Sequence, residues 1–224
     1  EFAYDLNALH QQTKSFVPGK MVYHFGEDRE HKALADHEIM EEWLVPVMQA
    51  MAEEVAKDGG DILEIGFGLG VSAEMLMDFV PKSYTVIECN EVVIETYYNP
   101  WKEIHTDKNI RLVKGLWQDT IGALGQYDGI FFHTYPLNED EYLQYVNASI
   151  TFAEHFFSHA SAHLKPGGSF TYFSNEIGSL SREHQRALLR HFSSFSIRVI
   201  SLKMPADVTD TWWANSIVIV KAVK

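Results

Sequence analysis

The sequence predicts an α/β fold in which a seven-stranded, mostly parallel and doubly wound sheet ends in an antiparallel hairpin. Between residues 61 and 174, short apolar segments alternate with segments of helical periodicity, a pattern typical of parallel strands joined by crossover helices. Two strand-like segments follow at 195–204 and 212–223, and their short connection allows antiparallel pairing. The chain has 224 residues, of which 46% are apolar, so we expect one domain around one core.

The predicted elements follow one another closely along the chain. A helix extends from Met40 to Val55, with Pro46 at the start of its regular part and Gly59-Gly60 after its end. Strands are then predicted at 62–67, 84–90, 110–115, 127–135 and 169–174, and helices at 71–80, 92–104, 117–124 and 142–163. The order of these segments indicates five strand–helix units before the hairpin.

The first 39 residues differ from the rest of the chain. They are polar and mixed and show no long period, so we expect an arm at 1–39 and a domain at 40–224. The arm carries four aromatic side chains, Tyr4, Phe16, Tyr23 and Phe25. Together these offer enough apolar surface to cap an active site and exclude water from it.

Charge and cysteine content limit the partners. The formal net charge is −13 and no basic stripe is present, which argues against nucleic acid and anionic membranes as partners. No segment approaches the roughly 18 uninterrupted apolar residues of a membrane span. The single cysteine, Cys89, cannot form an internal disulfide, which fits a reducing compartment. We therefore expect a soluble, cytoplasmic protein, a monomer or a homodimer, that acts on a small molecule.

A glycine-rich loop follows the first strand. Gly66, Gly68 and Gly70 alternate after the segment DILEI, and Glu88 ends the next strand. Such glycines let the backbone turn tightly beside a ligand, and a carboxylate in this place accepts both hydroxyls of a ribose. A dinucleotide fingerprint would need glycine at position 71, which is Val71. The loop therefore favours S-adenosylmethionine, which has no phosphates.

Several motifs resemble one known family. The segments LEIGFG, VIECN, KGLWQD, YDGIFFHTYPL, LKPGG with FTY, and PAD resemble guanidinoacetate N-methyltransferase in order and spacing, and MEEWLVPVM resembles its upstream helix. The resemblance covers roughly residues 38–224. It implies the class I methyltransferase fold, a Rossmann-like sheet, and methyl transfer from S-adenosylmethionine to a small-molecule acceptor, with S-adenosylhomocysteine as product.

The resemblance also assigns cofactor-binding residues. The loop that would contact the methionine end of the cofactor consists of Gly66, Phe67, Gly68, Leu69, Gly70 and Val71. Glu88 would bind the ribose, Trp117 and Gln118 would lie beside the adenine, and Met40 and Met48 would also touch the cofactor. Read from periodicity alone, the two methionines fill a core and Trp117 is a core aromatic.

Two positions depart from the family. Its two substrate-binding carboxylates correspond here to His133, in HTYPL, and Leu44, in EEWLVP. A buried guanidinium without carboxylates loses its charge partners, so guanidinoacetate is a poor substrate candidate. Nearby acids could compensate: Glu41, Glu42, Glu176 and Asp210. We predict a substrate site formed by Leu44, His133, Tyr135 and Glu176.

His133 is the predicted catalytic residue. As a neutral imidazole it can take a proton or hydrogen-bond the acceptor, and with its ordinary pKa of about 6.5 the rate would fall as the pH drops through that value. The alternative is a structural histidine bonded to a backbone carbonyl. No metal site is expected, because the histidines lack ligand spacing except at His155, His159 and His163, where helix packing is the simpler explanation.

We interpret the chain as a methyltransferase with a nitrogen acceptor. Two alternatives remain at this point. One is a small-molecule O-methyltransferase that uses His133 as its base, and the other is a cofactor-binding protein whose catalysis has decayed.

Overall fold

The computed structural model describes residues 29–206, 208 and 213–224, which form a seven-stranded sheet in the order β3-β2-β1-β4-β5-β7-β6. Its strands are β1 Asp61–Ile65, β2 Ser83–Glu88, β3 Ile110–Lys114, β4 Tyr127–Phe132, β5 Leu164–Ser174, β6 Ser194–Ser201 and β7 Ser216–Val223. Strands β1 to β5 pair with one another in parallel, whereas β7 is antiparallel to both β5 and β6. The predicted doubly wound sheet with a closing antiparallel hairpin is confirmed.

Short helices connect the strands. The α-helices are α1 Asp36–Ile39, α2 Val45–Ala56, α3 Val71–Asp78, α4 Glu91–Val93, α5 Asn99–Ile104, α6 Trp117–Thr120, α7 Glu139–Tyr142, α8 Phe157–His163 and α9 Arg182–Leu189. Wider π-helical turns lie at Ile94–Tyr98 and Leu143–Asn147, and 3-10 turns at Glu42–Leu44, Ile121–Ala123 and Phe152–Phe156. Within the described ranges, no helix is long and apolar enough to cross a membrane.

The central strands of the sheet are buried on both faces, whereas the edge strand β6 is largely exposed. Along β1, Ile62 packs into the cluster that includes α2 and α3, whereas Leu63 and Ile65 pack into the cluster that includes α8 and α9. Alternate side chains of a strand point to opposite faces, so each strand supplies both clusters. Continuous apolar strands of this kind are characteristic of parallel sheets covered by helices on both sides.

The prediction of one long helix from Tyr142 to His163 is wrong. The helical segment ends after Asn147, and Thr151 is extended (φ −152°, ψ 149°) before a new helical segment begins at Phe152. The Glu154 carboxylate accepts a hydrogen bond from Ile150 N at 3.3 Å and so ties the second segment to the extended residues before it. This new start lets Phe156 pack against Phe132 of β4, with ring centroids 4.6 Å apart.

Helix α9, between β5 and β6, is absent from the elements we predict. It begins at Ser181, whose hydroxyl accepts a hydrogen bond from His184 N at 3.1 Å, and it buries Ala187 and Leu188 against the sheet. The predicted arm is described only from residue 29 onward, so Tyr4, Phe16, Tyr23 and Phe25 lie outside the described residues.

Candidate active site

The strand order reverses between β1 and β4. In open α/β sheets, ligands bind beyond the carboxyl ends of the strands at such a reversal. His133 N donates to Ile65 O at 3.3 Å, and Gly66 N donates to Ile87 O at 2.9 Å. These two hydrogen bonds bring together the ends of β1, β2 and β4, where the sequence predicts the site.

Two glycines after β1 have positive φ. A Cβ on Gly66, which has φ +86°, would lie 2.6 Å from the carbonyl oxygen of His133, so the protein itself requires glycine there. A Cβ on Gly68, which has φ +56°, would lie 3.1 Å from a methyl carbon of Ile39, a tight contact that a small shift of the Ile39 side chain could relieve. The approach of a ligand stays a prediction for both glycines.

Glu88 lies at the carboxyl end of β2 and is almost fully buried. Its Oε2 accepts a hydrogen bond from Phe67 N, and its Oε1 accepts one from Asn90 N, both at 2.8 Å. A carboxylate oxygen has two lone pairs. Each oxygen can therefore also accept a hydrogen bond from a ribose hydroxyl, and the carboxylate is held in place for that contact.

A cleft with two halves lies above these strand ends. The first half is lined by Met40, Gly66, Phe67, Gly68, Leu69, Val71, Glu88, His133 and Tyr135, with further residues of the arm. The second half is lined by Trp117, Gln118, Leu116, Phe152 and Glu141. Gly66, Glu88 and Tyr135 border both halves. The two halves therefore meet beside Glu88 at the ends of the strands.

Three of the predicted binding residues lie elsewhere. Met48 and Leu44 are fully buried in the core on the α2 face and do not line the cleft. Gly70 precedes α3 with φ +79°, where a Cβ would lie 2.9 Å from the Phe67 ring. The alternative explanation of Met48 as core filling therefore fits its surroundings, while Met40 lies at the cleft.

Glu176 also lies away from the cleft. Its Oε2 is 2.6 Å from His184 Nδ1, and its Oε1 accepts a hydrogen bond from Ser181 N at 2.7 Å. Burial raises the pKa of Glu176, but these hydrogen bonds outweigh it and the pKa lies below its ordinary value. His184 is fully buried and its Nε2 is 2.5 Å from the Tyr172 hydroxyl. This arrangement ties the end of β5 to the start of α9.

The other possible compensating acids do not line the cleft either. Neither Glu41 nor Glu42 is among its lining residues, and Asp210 lies outside the described residues. Among the described residues, no group of three or more histidine, cysteine or acidic side chains is arranged to hold a metal ion. His155 and His159 instead pack against the Trp117 ring, at centroid distances of 5.4 and 5.2 Å.

His133 occupies the cleft wall as a neutral imidazole. Burial lowers its pKa from 6.5 to about 4. Its Nε2 is buried and has no hydrogen-bond partner. The rings of Tyr135 and Phe173 lie on its sides, each with its centroid 5.5 Å away. The predicted loss of rate near pH 6.5 therefore needs correction, because burial moves this titration to a lower pH.

Sequence reasoning missed Glu64, a buried carboxyl in the middle of β1. Its oxygens accept hydrogen bonds from the hydroxyls of Ser72 and Tyr84. Burial raises its pKa from 4.5 to about 7, because desolvation outweighs these two hydrogen bonds. The signal was present in the sequence, since an acidic residue inside an otherwise apolar strand needs an explanation.

Sequence reasoning also missed Asn90, directly after β2. Its Oδ1 accepts hydrogen bonds from Val92 N at 2.9 Å and Val93 N at 3.1 Å, and so caps α4. Its Nδ2 donates to the carbonyl oxygens of Arg29 and Lys32, both at 2.8 Å. An asparagine between a strand and a helical pattern is a typical N-cap, but its contacts with the arm have no local signal.

Comparison with solved structures supports the fold. The precorrin-6y C5,15-methyltransferase of Geobacter metallireducens is similar with a TM-score of 0.58 and 15% identity, over 86% of this chain and 93% of that chain. TYW2 of M. jannaschii, solved in complex with AdoMet, is similar with a TM-score of 0.57 and 15% identity, over 83% and 77% of the two chains. Both identities are low, so these two structures support the architecture alone.

Sequence comparison identifies the family. Protein arginine N-methyltransferase 2 of Yarrowia lipolytica is 28% identical over 152 residues, which cover 63% of this chain and 29% of that protein. The chain spans less than half the length of the curated relatives it matches. A family model described as guanidinoacetate N-methyltransferase matches residues 18–201. The match spans most of the sequence, and the chain therefore belongs to the guanidinoacetate N-methyltransferase family of S-adenosylmethionine-dependent methyltransferases.

Proposed function

We propose that this chain transfers a methyl group from S-adenosylmethionine to a nitrogen of a small molecule that is not a guanidinium compound. The observation that carries the proposal is His133. It stands where the family has a substrate-binding carboxylate, at the end of β4, and its buried Nε2 lacks a partner. An acceptor that hydrogen-bonds a neutral imidazole would supply that partner, because buried polar groups are normally paired.

The cofactor would supply a methyl group on a sulfonium sulfur. On this proposal Glu88 holds the ribose, the loop at Gly66 and Gly68 holds the methionine end, and Trp117 with Gln118 borders the adenine. Glu88 is suited to this task because two backbone amides already fix its orientation. The remaining work in methyl transfer is to position a nitrogen lone pair on the methyl group.

We call the part of the cleft around His133 the acceptor end. The lack of a carboxylate at position 133 disfavours a guanidinium there. His133 is uncharged at neutral pH, since burial lowers its pKa to about 4. Leu44, the other position where the family has a carboxylate, lies in the core and brings no charge to the cleft. Leaving a buried cation without its carboxylate costs roughly 3 to 5 kcal/mol. An acceptor nitrogen with a free lone pair carries no such cost, and it needs no strong base.

A second candidate acceptor is the arginine side chain of a protein. The matched relative is named protein arginine N-methyltransferase 2, and the net charge of −13 would attract basic proteins. The absence of a carboxylate at position 133 speaks against it for the same reason as for guanidinoacetate.

The experiment compares acceptor classes with labelled S-adenosylmethionine. The panel consists of neutral amines and nitrogen heterocycles, guanidinoacetate, an arginine-rich protein and hydroxyl compounds. We expect turnover on the first group only. Turnover on guanidinoacetate or on the arginine-rich protein would overturn the proposal, and turnover on hydroxyl compounds alone would make the chain an O-methyltransferase. Cofactor binding without any turnover would indicate decayed catalysis.

A gain-of-function variant sharpens the test. His133→Asp places a carboxylate at the end of β4 and should raise activity on guanidino compounds. Leu44→Glu is a poor companion, because Leu44 is fully buried in the core and a glutamate there would be desolvated. His191→Asp is the matched control, since His191 is exposed and does not line the cleft.

A further inference from the structure

A short segment of the arm crosses the mouth of the cleft. Arg29 N donates to Leu137 O at 3.2 Å, on the loop that follows β4. Arg29 O accepts a hydrogen bond from Asn90 Nδ2 at 2.8 Å, on the loop that follows β2. We call residues 29–35 the strap. Because backbone atoms of Arg29 make both contacts, replacing its side chain leaves these anchors in place.

The side chain of Arg29 borders the first half of the cleft. Its Nη2 donates to Glu38 O at 2.8 Å, and its Cζ lies 5.8 Å from the centroid of the Tyr135 ring. The same ring lies 5.5 Å from the His133 ring. The guanidinium is thus positioned by the Glu38 carbonyl and the Tyr135 ring, and this ring also contacts His133. A guanidinium has five N–H donors, so Arg29 has donors beyond the one that Glu38 O accepts.

Two charged side chains of opposite sign line this half of the cleft, and they differ in their hydrogen-bond partners. Among the described residues that line it, the charged side chains are Glu88 and Arg29. Each Glu88 oxygen accepts a backbone N–H, and we have assigned this carboxylate to the ribose. Of the two positions where the family has carboxylates, His133 lines this half of the cleft and is uncharged, whereas Leu44 lies in the core. Arg29 therefore borders this half without a carboxylate at either of those two positions.

We propose that Arg29 binds a carboxylate in the first half of the cleft. The planar guanidinium fork matches a carboxylate with two parallel hydrogen bonds. Two ligands can supply this group: the methionine end of the cofactor, or an acceptor that itself bears a carboxylate. The second source rests on the proposed function, whereas the first does not.

Calorimetry with Arg29→Gln tests the cofactor as the source. The probes are S-adenosylhomocysteine, which has the carboxylate, and 5′-methylthioadenosine, which lacks it. If the cofactor supplies the carboxylate, the Kd of S-adenosylhomocysteine should rise roughly 10- to 100-fold while that of methylthioadenosine is unchanged. Arg29→Lys should give a smaller rise, because it keeps the charge and loses the fork. Lys82→Gln is the charge-matched control, since Lys82 is exposed and outside the cleft.

Kinetics with paired acceptors test the acceptor as the source. Imidazole acetate and methylimidazole serve as a pair of nitrogen heterocycles with and without a carboxylate. If the acceptor supplies the carboxylate, Arg29→Gln should raise KM roughly tenfold or more for imidazole acetate alone, and the Kd of S-adenosylhomocysteine should stay constant.

Two results would overturn the inference. One is that Arg29→Gln changes neither the Kd of S-adenosylhomocysteine and methylthioadenosine nor the KM of the two acceptors. The other is an equal loss of affinity for S-adenosylhomocysteine and methylthioadenosine, which would mean that the side chain supports the strap and binds no carboxylate. If no acceptor of any class is methylated, the proposed function fails, and the calorimetric comparison alone decides the role of Arg29.

Discussion

The two halves of the cleft are built in different ways. At the border between the halves, Glu88 is fixed by the backbone, since both of its oxygens accept main-chain N–H groups. At the acceptor end the polar groups are single side chains from separate segments. His133 follows β4 and has an unpartnered Nε2, while Arg29 comes from the strap.

This difference shows which half can change without loss of the fold. Replacing Glu88 would leave two backbone amides without their partners, so its change has a structural cost. Replacing His133 removes no hydrogen bond made by its ring Nε2 within the protein. The acceptor end can therefore alter its charge while the cofactor end remains as it is.

The largest effect should come from a residue that borders both halves. In Gly66→Ala, the new Cβ would meet the His133 carbonyl oxygen at 2.6 Å, in a backbone conformation with φ +86° that alanine disfavours. We expect a loss of about 2 to 4 kcal/mol in the free energy of unfolding, measured by denaturant titration. Gly125→Ala is the control, because nothing lies within 4 Å of its Cβ position. Equal stability of the two variants would contradict the described junction of β1 and β4.

The next effect separates the acceptor end from the cofactor end. His133→Asn should slow turnover roughly 100-fold, since it removes the imidazole beside the acceptor, while calorimetry should give an unchanged Kd for S-adenosylhomocysteine. An equal loss of cofactor affinity would mean that His133 also contributes to cofactor binding, against the separation of the two halves. Full turnover in this variant would make His133 a structural residue.

The same histidine sets the pH dependence of the rate. Burial lowers its pKa to about 4, so the imidazole stays neutral down to that pH. With an acceptor that does not itself titrate between pH 8 and 4, the turnover rate should therefore show no step near pH 6.5 and should decline only as the pH approaches 4. Rates measured between pH 8 and 4 with such an acceptor check this, and a clear step at 6.5 would mean that bound ligands restore the ordinary pKa of the histidine.

The smallest effect concerns the cofactor end alone. Glu88→Gln keeps one acceptor oxygen but directs an amide N–H at a backbone N–H, so the Kd of S-adenosylhomocysteine should rise roughly 10-fold. Turnover at saturating cofactor should change little. Glu91→Gln is a suitable control, because Glu91 is exposed and pairs with Lys114. An unchanged Kd of S-adenosylhomocysteine in Glu88→Gln would mean that this carboxylate does not bind the ribose.

Local sequence patterns were sufficient to predict the sheet and to place the loop after β1 beside Glu88. The glycines after β1 and the acid after β2 lie at strand ends, and parallel topology brings strand ends together. The helix from 142 to 163 was predicted too long, since periodicity does not register the extended backbone at Thr151 or the hydrogen bond from Ile150 N to Glu154. Helix α9 was missed between two segments with strong strand character.

The acceptor end could be predicted only in part. Leu44 and Met48 share a helical face with Met40 in the sequence, but the 3-10 turn at Glu42–Leu44 separates Met40 from α2, and only Met40 reaches the cleft. Glu176 had no local signal for its contact with His184, which is eight positions away. Arg29 is held at the cleft by hydrogen bonds with Leu137 and Asn90. Contacts between residues so far apart in the chain cannot be predicted from sequence periodicity.

The buried Glu64 gives the folded chain some resistance to acid. His133, with its pKa lowered from 6.5 to about 4, favours folding above pH 6.5, and this contribution is lost as the pH falls toward 4. Glu64, with its pKa raised from 4.5 to about 7, acts in the opposite sense: its contribution is fully present below pH 4.5 and is lost as the pH rises through 7. On acidification, the folded state thus gains from the carboxyl while it loses from the imidazole. Melting temperatures between pH 7 and 4.5 should accordingly fall less steeply than they would with glutamine at position 64.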